Sequence, residues 1–378
     1  MKTGQQLFEE HRQRIERAIK MEKNDRVPIM LGADAFCVRY AGGKLGDLVR
    51  DVRRGNQTAI KGILALGDVD GNFAAGFYPP ILGMSFMSKV LVPGRDFPDD
   101  MLWQVQEVGL MTEADYDTIL KAGWNPFFAG FCRDRLGDPM KEVTYFQQFV
   151  PAIAQDYLDA GVFPLFSAMV LPPYEMLCPG RGMARFFRDL RRMPEKVVAV
   201  MDVMMEDFVA DLRKQIRTAK AFAGFIGASR GAGGFLSPKD FERFLWPYFK
   251  KLVEVMVEEG AYAYLHLDLN WGRLLNYFLE LPKAKCIFHP DSTTDIFKAA
   301  AVLKGHMCFC GDVSPALLTV DSAQNVHNYC RRLIEEVGPD GFIMAAGCSV
   351  PFNAKPENVQ AMVDVALNSG RPDRVAFH

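Results

Sequence analysis

The second half of the chain alternates short apolar runs with longer amphipathic stretches, and no other feature constrains the fold as strongly. Strands are predicted over residues 221–228, 261–267, 285–289, 306–310 and 341–346. Helices are predicted over residues 238–259, 272–281, 295–303, 322–336 and 356–368. Strands and helices that alternate with short connections are typical of a parallel β/α fold, in which each helix packs against the sheet.

The rest of the chain is consistent with one α/β barrel that has additional segments. Earlier strands are predicted over residues 27–31 and 162–169, and a charged amphipathic helix is predicted at the N-terminus. Residues 67–126 are rich in Gly, Pro, Phe and Asp, so we expect long loops that cover a barrel mouth. Because no linker or repeat interrupts the 378 residues, we predict a single domain over residues 1–378.

Composition and charge exclude several classes of protein. Lysine and arginine total 44, and aspartate and glutamate total 46, so the net charge of -2 argues against a nucleic-acid-binding protein. No segment resembles a membrane span, and the charged N-terminus does not resemble a secretory signal. We therefore expect a cytoplasmic protein whose eight cysteines are buried side chains or ligands rather than disulfides.

Imidazole, carboxylate and thiol groups occur at the predicted ends of three late strands. His266 and Asp268 are two residues apart, so they share one face of their strand. Cys310 ends a second strand, and Cys348 follows a third in a loop bounded by glycine and proline. Since active sites of α/β barrels lie at the carboxyl ends of the strands, these side chains are expected to converge. Zinc selects such donors, and catalytic zinc leaves one position open.

Each of these residues also has a purely structural explanation. His266 could be a core histidine that is hydrogen-bonded to Asp268. Cys308 is better explained as a buried apolar side chain than as a ligand, and Cys310 is equally consistent with either role. The loop position of Cys348 gives it the strongest functional case among the cysteines.

Two further residues are candidates for the same pocket. His289 ends the strand at 285–289 and could act as an acid, a base or a cofactor contact. Arg230 lies in the glycine-rich segment 229–234, which could bring its guanidinium to an anionic group. That segment matches neither a Walker loop nor the dinucleotide-binding fingerprint. The candidate catalytic residues are therefore Asp268, His289 and Arg230.

Several short segments are distinctive when they are taken together. They are DRVP at 25–28, LSPKDFE at 236–242, WPY at 246–248, CGDVSP at 310–315, GCSVP at 347–351 and PENV at 356–359. Together they resemble the uroporphyrinogen decarboxylase superfamily over nearly the full length of the chain. The resemblance implies a (β/α)8 TIM barrel, here with extra N-terminal helices and long capping loops.

The same resemblance separates two branches of that superfamily. The decarboxylase itself has an arginine-rich loop of the type R-Q-A-G-R for its substrate carboxylates, whereas residues 32–40 here read GADAFCVRY. A tetrapyrrole would lack its counter-charges there. The other branch, corrinoid-dependent methyltransferases, binds zinc through a His-x-Cys pair and a later cysteine. His266 and Cys348 match two of those positions. Asp268 replaces the remaining cysteine, so either Asp268 or Cys310 completes the implied zinc site.

The resemblance thus implies a zinc-dependent methyltransferase. It would move a methyl group between a small methylated substrate, with a methyl ether favoured, and a corrinoid (cobalamin) on a separate partner protein. No D-x-H-x-x-G corrinoid motif occurs in this chain. The alternatives are a methylcobamide:thiol methyltransferase, a metal-free decarboxylase that anchors another acid through Arg39 and Arg230, and a non-catalytic partner of a corrinoid protein. The oligomeric state stays open, with a homodimer as one option.

Overall fold

The computed structural model describes residues 2–370, and eight of its strands form an all-parallel barrel. In chain order the strands are β1 Met30–Leu31, β2 Gly71–Ala74, β3 Lys89–Leu91, β4 Gln104–Gln106, β5 Phe163–Val170, β6 Ala223–Ala228, β7 Tyr262–Leu267, β8 Cys286–Pro290, β9 Cys308–Cys310 and β10 Phe342–Ile343. The barrel order is β1-β2-β5-β6-β7-β8-β9-β10, while β3 and β4 form an antiparallel hairpin. Met30 N–H donates to the Met344 carbonyl at 2.9 Å, which joins the two ends of the sheet. The predicted (β/α)8 barrel is confirmed.

Helices surround the barrel and cover its outer face. They are α1 Gly4–Ile19, α2 Asp34–Tyr40, α3 Asp47–Arg50, α4 Val52–Ala65, α5 Leu82–Ser85, α6 Ala114–Ala122, α7 Trp124–Arg135, α8 Met140–Gln147, α9 Val150–Ala160, α10 Pro173–Arg181, α11 Met183–Arg192, α12 Pro194–Ala219, α13 Pro238–Phe244, α14 Trp246–Glu258, α15 Ile296–Leu303, α16 Pro315–Thr319, α17 Ala323–Glu336 and α18 Pro356–Asn368. Two further segments, Pro79–Ile81 and Gly272–Glu280, are 3-10 helices. Within residues 2–370, no helix is both long enough and apolar enough to cross a bilayer.

Strand β7 shows how the two-residue period divides the core. Tyr262 and Tyr264 point into the barrel and belong to its inner apolar cluster. Ala263 and Leu265 point outward and pack in the layer between strands and helices. By the same period His266 continues the inner face, so the strand delivers an imidazole to the carboxyl end of the barrel.

Helix α1 closes the opposite end of the barrel. Its buried residues Ile15, Ala18 and Ile19 belong to the same inner cluster as Met30 and Tyr264. The predicted N-terminal amphipathic helix is thereby confirmed. Because α1 covers the amino-terminal end, the carboxyl ends of the strands are the face on which a site can form.

Residues 238–259 form two helices rather than the single helix that the periodicity predicts. Helix α13 ends at Phe244 and α14 begins at Trp246, with Leu245 between them at a φ of -122°. Pro247 explains the break, because proline has no N–H to donate to the carbonyl of Arg243 one turn earlier, and its ring clashes with that carbonyl. The segment predicted as a helix over residues 272–281 is the 3-10 helix Gly272–Glu280.

The region 67–126 is more regular than the sequence pattern indicates. It contains the barrel strand β2, the hairpin of β3 and β4, and the helices α5 and α6. The region therefore holds short regular elements in addition to the loops that the composition predicts. Strand β2 gives little signal because it has four residues, among them Gly71 and Asn72, which are disfavoured in strands.

Candidate metal centre

Three side chains of different chemistry meet beyond the carboxyl ends of β7 and β10. His266 Nε2 lies 3.3 Å from Asp268 Oδ1 and 3.6 Å from Cys348 Sγ. The three donor atoms all lie within 4.8 Å of one another. The side chains of His266 and Asp268 are 14% and 40% exposed, so the cluster opens toward the barrel mouth. Across residues 2–370, it is the one group of three or more such donors close enough to share an ion.

The two donor distances from His266 fit a tetrahedral metal ion. Zinc bonds of about 2.0–2.3 Å at tetrahedral angles place two ligand atoms roughly 3.3–3.8 Å apart. Both distances from His266 Nε2, 3.3 Å and 3.6 Å, fall in that range. Nitrogen, oxygen and sulfur donors also match the preferences of zinc. Three protein ligands would leave a fourth position for a substrate.

Backbone contacts hold both ligand-bearing segments in place. Asp268 N–H donates to the Ala228 carbonyl at 3.0 Å, which extends the pairing of β6 with β7. On the other side, Gly347 N–H donates to the Val313 carbonyl at 2.9 Å. Position 347 needs glycine because a Cβ there would lie 2.9 Å from the backbone nitrogen of Ser292. Asp268 and Cys348 therefore start from fixed backbone positions.

The electrostatics of the cluster favour a paired imidazole and carboxylate. Burial opposes the charge on His266, but its hydrogen bonds with Asp268 and Cys348 outweigh burial and raise its pKa to about 10. Burial likewise opposes ionisation of Asp268, yet the hydrogen bond from His266 holds the pKa of Asp268 below its usual value. Without a metal the site thus pairs an ionised carboxylate with an imidazolium, and a metal cation would replace the proton on Nε2.

His289 and Tyr264 lie directly beneath His266. His289 is fully buried, and its Nδ1 lies 3.1 Å from His266 Nδ1 while its Nε2 lies 2.8 Å from the Ala346 carbonyl oxygen. The hydroxyl of Tyr264 is hydrogen-bonded to His289 Nδ1. Burial lowers the pKa of His289 to about 3, so the ring is neutral. The Phe73 ring packs against the His289 ring, with the two centroids 5.2 Å apart.

The structure does not bring Cys310 into the donor cluster. Cys310 and Cys308 are fully buried in the inner apolar cluster of the barrel, and burial raises the pKa of both thiols. A thiol that burial keeps protonated is a poor ligand. Cys348 is partly exposed and lies beside His266. Of the predicted ligands, His266, Asp268 and Cys348 are therefore close together and Cys310 lies apart.

The glycine-rich segment 229–234 already holds an anion from the protein itself. Buried Glu175 accepts hydrogen bonds from the backbone N–H groups of Ser229, Arg230 and Gly231 at 2.8–3.1 Å. The Arg230 guanidinium is hydrogen-bonded to Glu107, and its Nη1 lies 3.9 Å from Glu175. The anion that this segment was predicted to bind is therefore a carboxylate of the protein itself, Glu175. The charge of Arg230 is compensated by Glu107 and Glu175.

Two residues of this region are missed by the sequence patterns. Tyr264 lies two positions before His266 on the same strand face, so the strand period could have identified it. Glu175 gives no local signal, because helix α10 and the segment after β6 are more than fifty residues apart. Only the fold places that carboxylate against the loop.

The chain is similar to known uroporphyrinogen decarboxylases. The family model described as Uroporphyrinogen decarboxylase (URO-D) matches residues 170–368. The enzyme of that name from Syntrophotalea carbinolica is 26% identical over 200 residues, which cover 51% of this chain and 56% of the relative. The Vibrio cholerae enzyme is 24% identical over 309 residues, which cover 75% and 82%. The chain thus spans little more than half the length of the first of these curated relatives.

A solved structure is similar over almost the whole chain. It is a methyltransferase from Methanosarcina mazei, with a TM-score of 0.67 and 15% sequence identity, and the match covers 95% of this chain and 98% of that one. At this identity the likeness establishes the shared barrel fold.

Proposed function

The chain belongs to the uroporphyrinogen decarboxylase (URO-D) family, and from that premise we propose that it is a zinc-dependent methyltransferase. Its substrates would be a small methylated compound, a methyl ether by preference, and a corrinoid (cobalamin) on a separate partner protein. The single observation that supports this function best is the convergence of His266, Asp268 and Cys348. Methyl transfer also agrees with the name of the Methanosarcina neighbour.

Each residue of the cluster has a defined part in this proposal. His266 Nε2, Asp268 Oδ1 and Cys348 Sγ would hold the metal. When bound, zinc supplies a Lewis acid that stabilises negative charge on the heteroatom bearing the methyl group. The side chain of Asp268 is more exposed than that of His266, so Asp268 lies on the side of the cluster from which we expect substrate to approach. An oxygen ligand in place of a second thiolate makes the bound metal a harder Lewis acid, and a harder Lewis acid prefers oxygen donors to thiols.

The segment after β1 argues against tetrapyrrole decarboxylation. Residues 34–40 form α2, in which Ala35, Phe36, Cys37 and Val38 are buried. Burial also raises the pKa of Asp34 to about 6. The one guanidinium in this segment, Arg39, is bonded to the Phe352 carbonyl, so a substrate with many carboxylates would lack its counter-charges here.

Decarboxylation of another acid is also disfavoured, because the two proposed anchors are engaged elsewhere. The Arg39 guanidinium donates to the Phe352 carbonyl at 2.8 Å and lies 5.2 Å from the centre of the Phe352 ring. Arg230 is paired with Glu107 and Glu175. Both guanidinium groups therefore already have partners within the protein.

A zinc-uptake and methyl-transfer assay tests the proposal. We expect the protein to retain about one zinc per chain, as one tetrahedral site predicts, and to methylate free cob(I)alamin from a methyl ether in a screen that includes methylamines and thiols. Cys348→Ala should lose both zinc and transfer. Cys310→Ala is the matched thiol control and should keep both, because Cys310 lies inside the apolar barrel.

Four results would contradict the proposal, each in a different part. If the wild-type protein binds no zinc, the metal centre is ruled out and a metal-free decarboxylase is favoured. Zinc binding with transfer from methyl-cobalamin to thiols alone would identify the thiol methyltransferase. Binding of a corrinoid protein without any methyl transfer would indicate a non-catalytic partner. Zinc loss from Cys310→Ala rather than Cys348→Ala would reassign the ligands.

A further inference from the structure

His289 connects the two segments that present the candidate ligands. It pairs in register with His266 across the β7–β8 ladder, and the centroids of the two rings are 4.8 Å apart. Its other nitrogen contacts the backbone carbonyl of Ala346, two residues before Cys348. One buried ring therefore touches both the side chain of one ligand and the main chain that leads to another.

The contact with Ala346 determines where His289 has its proton. The Nε2 atom is 2.8 Å from the Ala346 carbonyl oxygen, which can only accept a hydrogen bond. Nε2 must therefore be protonated. A second proton on Nδ1 would place an uncompensated charge in a fully buried position beside another imidazole. Nδ1 consequently presents a lone pair.

That lone pair determines the tautomer of His266 in turn. His266 Nδ1 lies 3.1 Å from His289 Nδ1, and two lone pairs would repel at that distance. His266 must therefore donate from Nδ1–H, as Tyr264 does from its hydroxyl to the same acceptor. With its proton on Nδ1, a neutral His266 has its lone pair on Nε2. Nε2 is the nitrogen that faces Asp268 and Cys348.

We propose that His289 is a positioning residue of the metal centre: through its hydrogen bonds to His266 Nδ1 and the Ala346 carbonyl, it fixes the tautomer and orientation in which His266 Nε2 binds the metal. The inference rests on the proposed function, since it presupposes a metal at His266, Asp268 and Cys348. It assigns to His289 no direct contact with substrate. Hydrogen bonds of this kind behind a ligating histidine typically change metal affinity ten- to a hundredfold.

Zinc affinity, measured by competition with a chromophoric chelator, tests the role of His289. We expect His289→Phe, which keeps a ring but removes both nitrogens, to weaken zinc binding by about ten- to a hundredfold. His289→Gln should recover part of the loss, because its amide can donate to Ala346 and accept from His266. Tyr264→Phe is the matched control. It removes the other donor to His289 Nδ1. Its zinc affinity should stay within about threefold of the wild-type value, a smaller change than the one expected for His289→Phe.

Nitrogen NMR of ring-labelled wild-type protein tests the same inference without any variant. In the zinc-loaded protein we expect protons on His266 Nδ1 and His289 Nε2. A proton on His266 Nε2 or on His289 Nδ1 would overturn the inference, as would unchanged zinc affinity in folded His289→Phe. If the wild-type protein takes up no zinc, the proposed function fails. If it takes up zinc but His289→Phe binds zinc equally well, only the inference about His289 fails.

Discussion

Asp312 is a carboxylate that the fold buries just beyond β9. It is 2% exposed, and the Tyr329 hydroxyl donates to its Oδ1 at 2.6 Å. Burial raises the pKa of Asp312 from 3.8 to about 7, and the carboxylates of Asp295 and Asp291 add to the effect. The folded state thus holds this proton more tightly than the unfolded state does. The associated stability is fully present below pH 4 and is lost as the pH rises through 7.

Replacing Asp312 with asparagine should therefore stabilise the protein at alkaline pH. The amide keeps an oxygen that can accept from Tyr329 and has no charge to bury. Because one pKa unit corresponds to about 1.4 kcal/mol, we expect Asp312→Asn to raise the free energy of unfolding by about 2–4 kcal/mol at pH 8. The gain should vanish near pH 4. Urea denaturation at both pH values measures it, and exposed Asp340→Asn is the control. An equal effect at both values would refute this explanation.

At the scale of elements, α1 depends on a buried ion cluster beneath the barrel. Asp70 is fully buried and accepts hydrogen bonds from Arg14 of α1, from Arg26 and from the N–H of Ile29. Arg14 also pairs with Asp25 at 2.8 Å. These contacts fasten α1 to the segments that precede β1 and β2. The helix that closes the barrel is therefore fixed by charge as well as by apolar packing.

Disrupting this cluster should cost far more stability than disrupting a neighbouring surface pair. Asp70→Asn leaves two buried guanidinium groups without their shared counter-ion, and breaking such a pair costs about 3–5 kcal/mol. Asp68→Asn is the matched control, because Asp68 also pairs with Arg26 but is 56% exposed. We expect its cost to stay below about 1 kcal/mol. Similar urea midpoints for the two variants would show that α1 is held by apolar contacts alone.

At the scale of the whole molecule, the candidate centre links distant parts of the barrel. His266 lies in β7, Asp268 follows that strand, and Cys348 follows β10, while His289 comes from β8, which lies between β7 and β10 in the barrel order. A ligand shared by these segments binds only the folded chain. Its binding free energy therefore adds to the stability of the entire barrel.

Zinc should consequently raise the thermal unfolding temperature, and a chelator should reverse the change. At a free zinc concentration a thousand times the dissociation constant, the added stability is about 4 kcal/mol. Cys348→Ala should show no shift with zinc, whereas Cys310→Ala should keep it. Scanning calorimetry with and without zinc measures the effect, and magnesium serves as the control ion. A zinc-induced shift that persists in Cys348→Ala would place the binding elsewhere.

The late half of the barrel could be predicted from sequence because its strands are apolar and its helices amphipathic. The predicted 261–267 and 285–289 correspond to β7 and β8 within one residue at each end. Strand β2 could not be predicted, since a four-residue strand with glycine and asparagine gives no periodic signal. The break at Leu245 was encoded locally by Pro247, and the helical period of the surrounding residues concealed it.

That His266 and Asp268 share a strand face follows from the amino-acid sequence, because a two-residue period is a property of any strand. The alternation of strand and helix likewise predicted a parallel β/α fold, and the resemblance of short segments to a known family implied its closure into a barrel. The choice between Asp268 and Cys310 as the third member of the cluster with His266 and Cys348 depends on the tertiary structure, which brings Asp268 to them and not Cys310. Strand tilt and closure set how deep each residue lies, and they place Cys310 in the apolar interior and Cys348 at the rim. The contacts of His289 depend on the same packing, because Ala346 and His266 reach it from different strands.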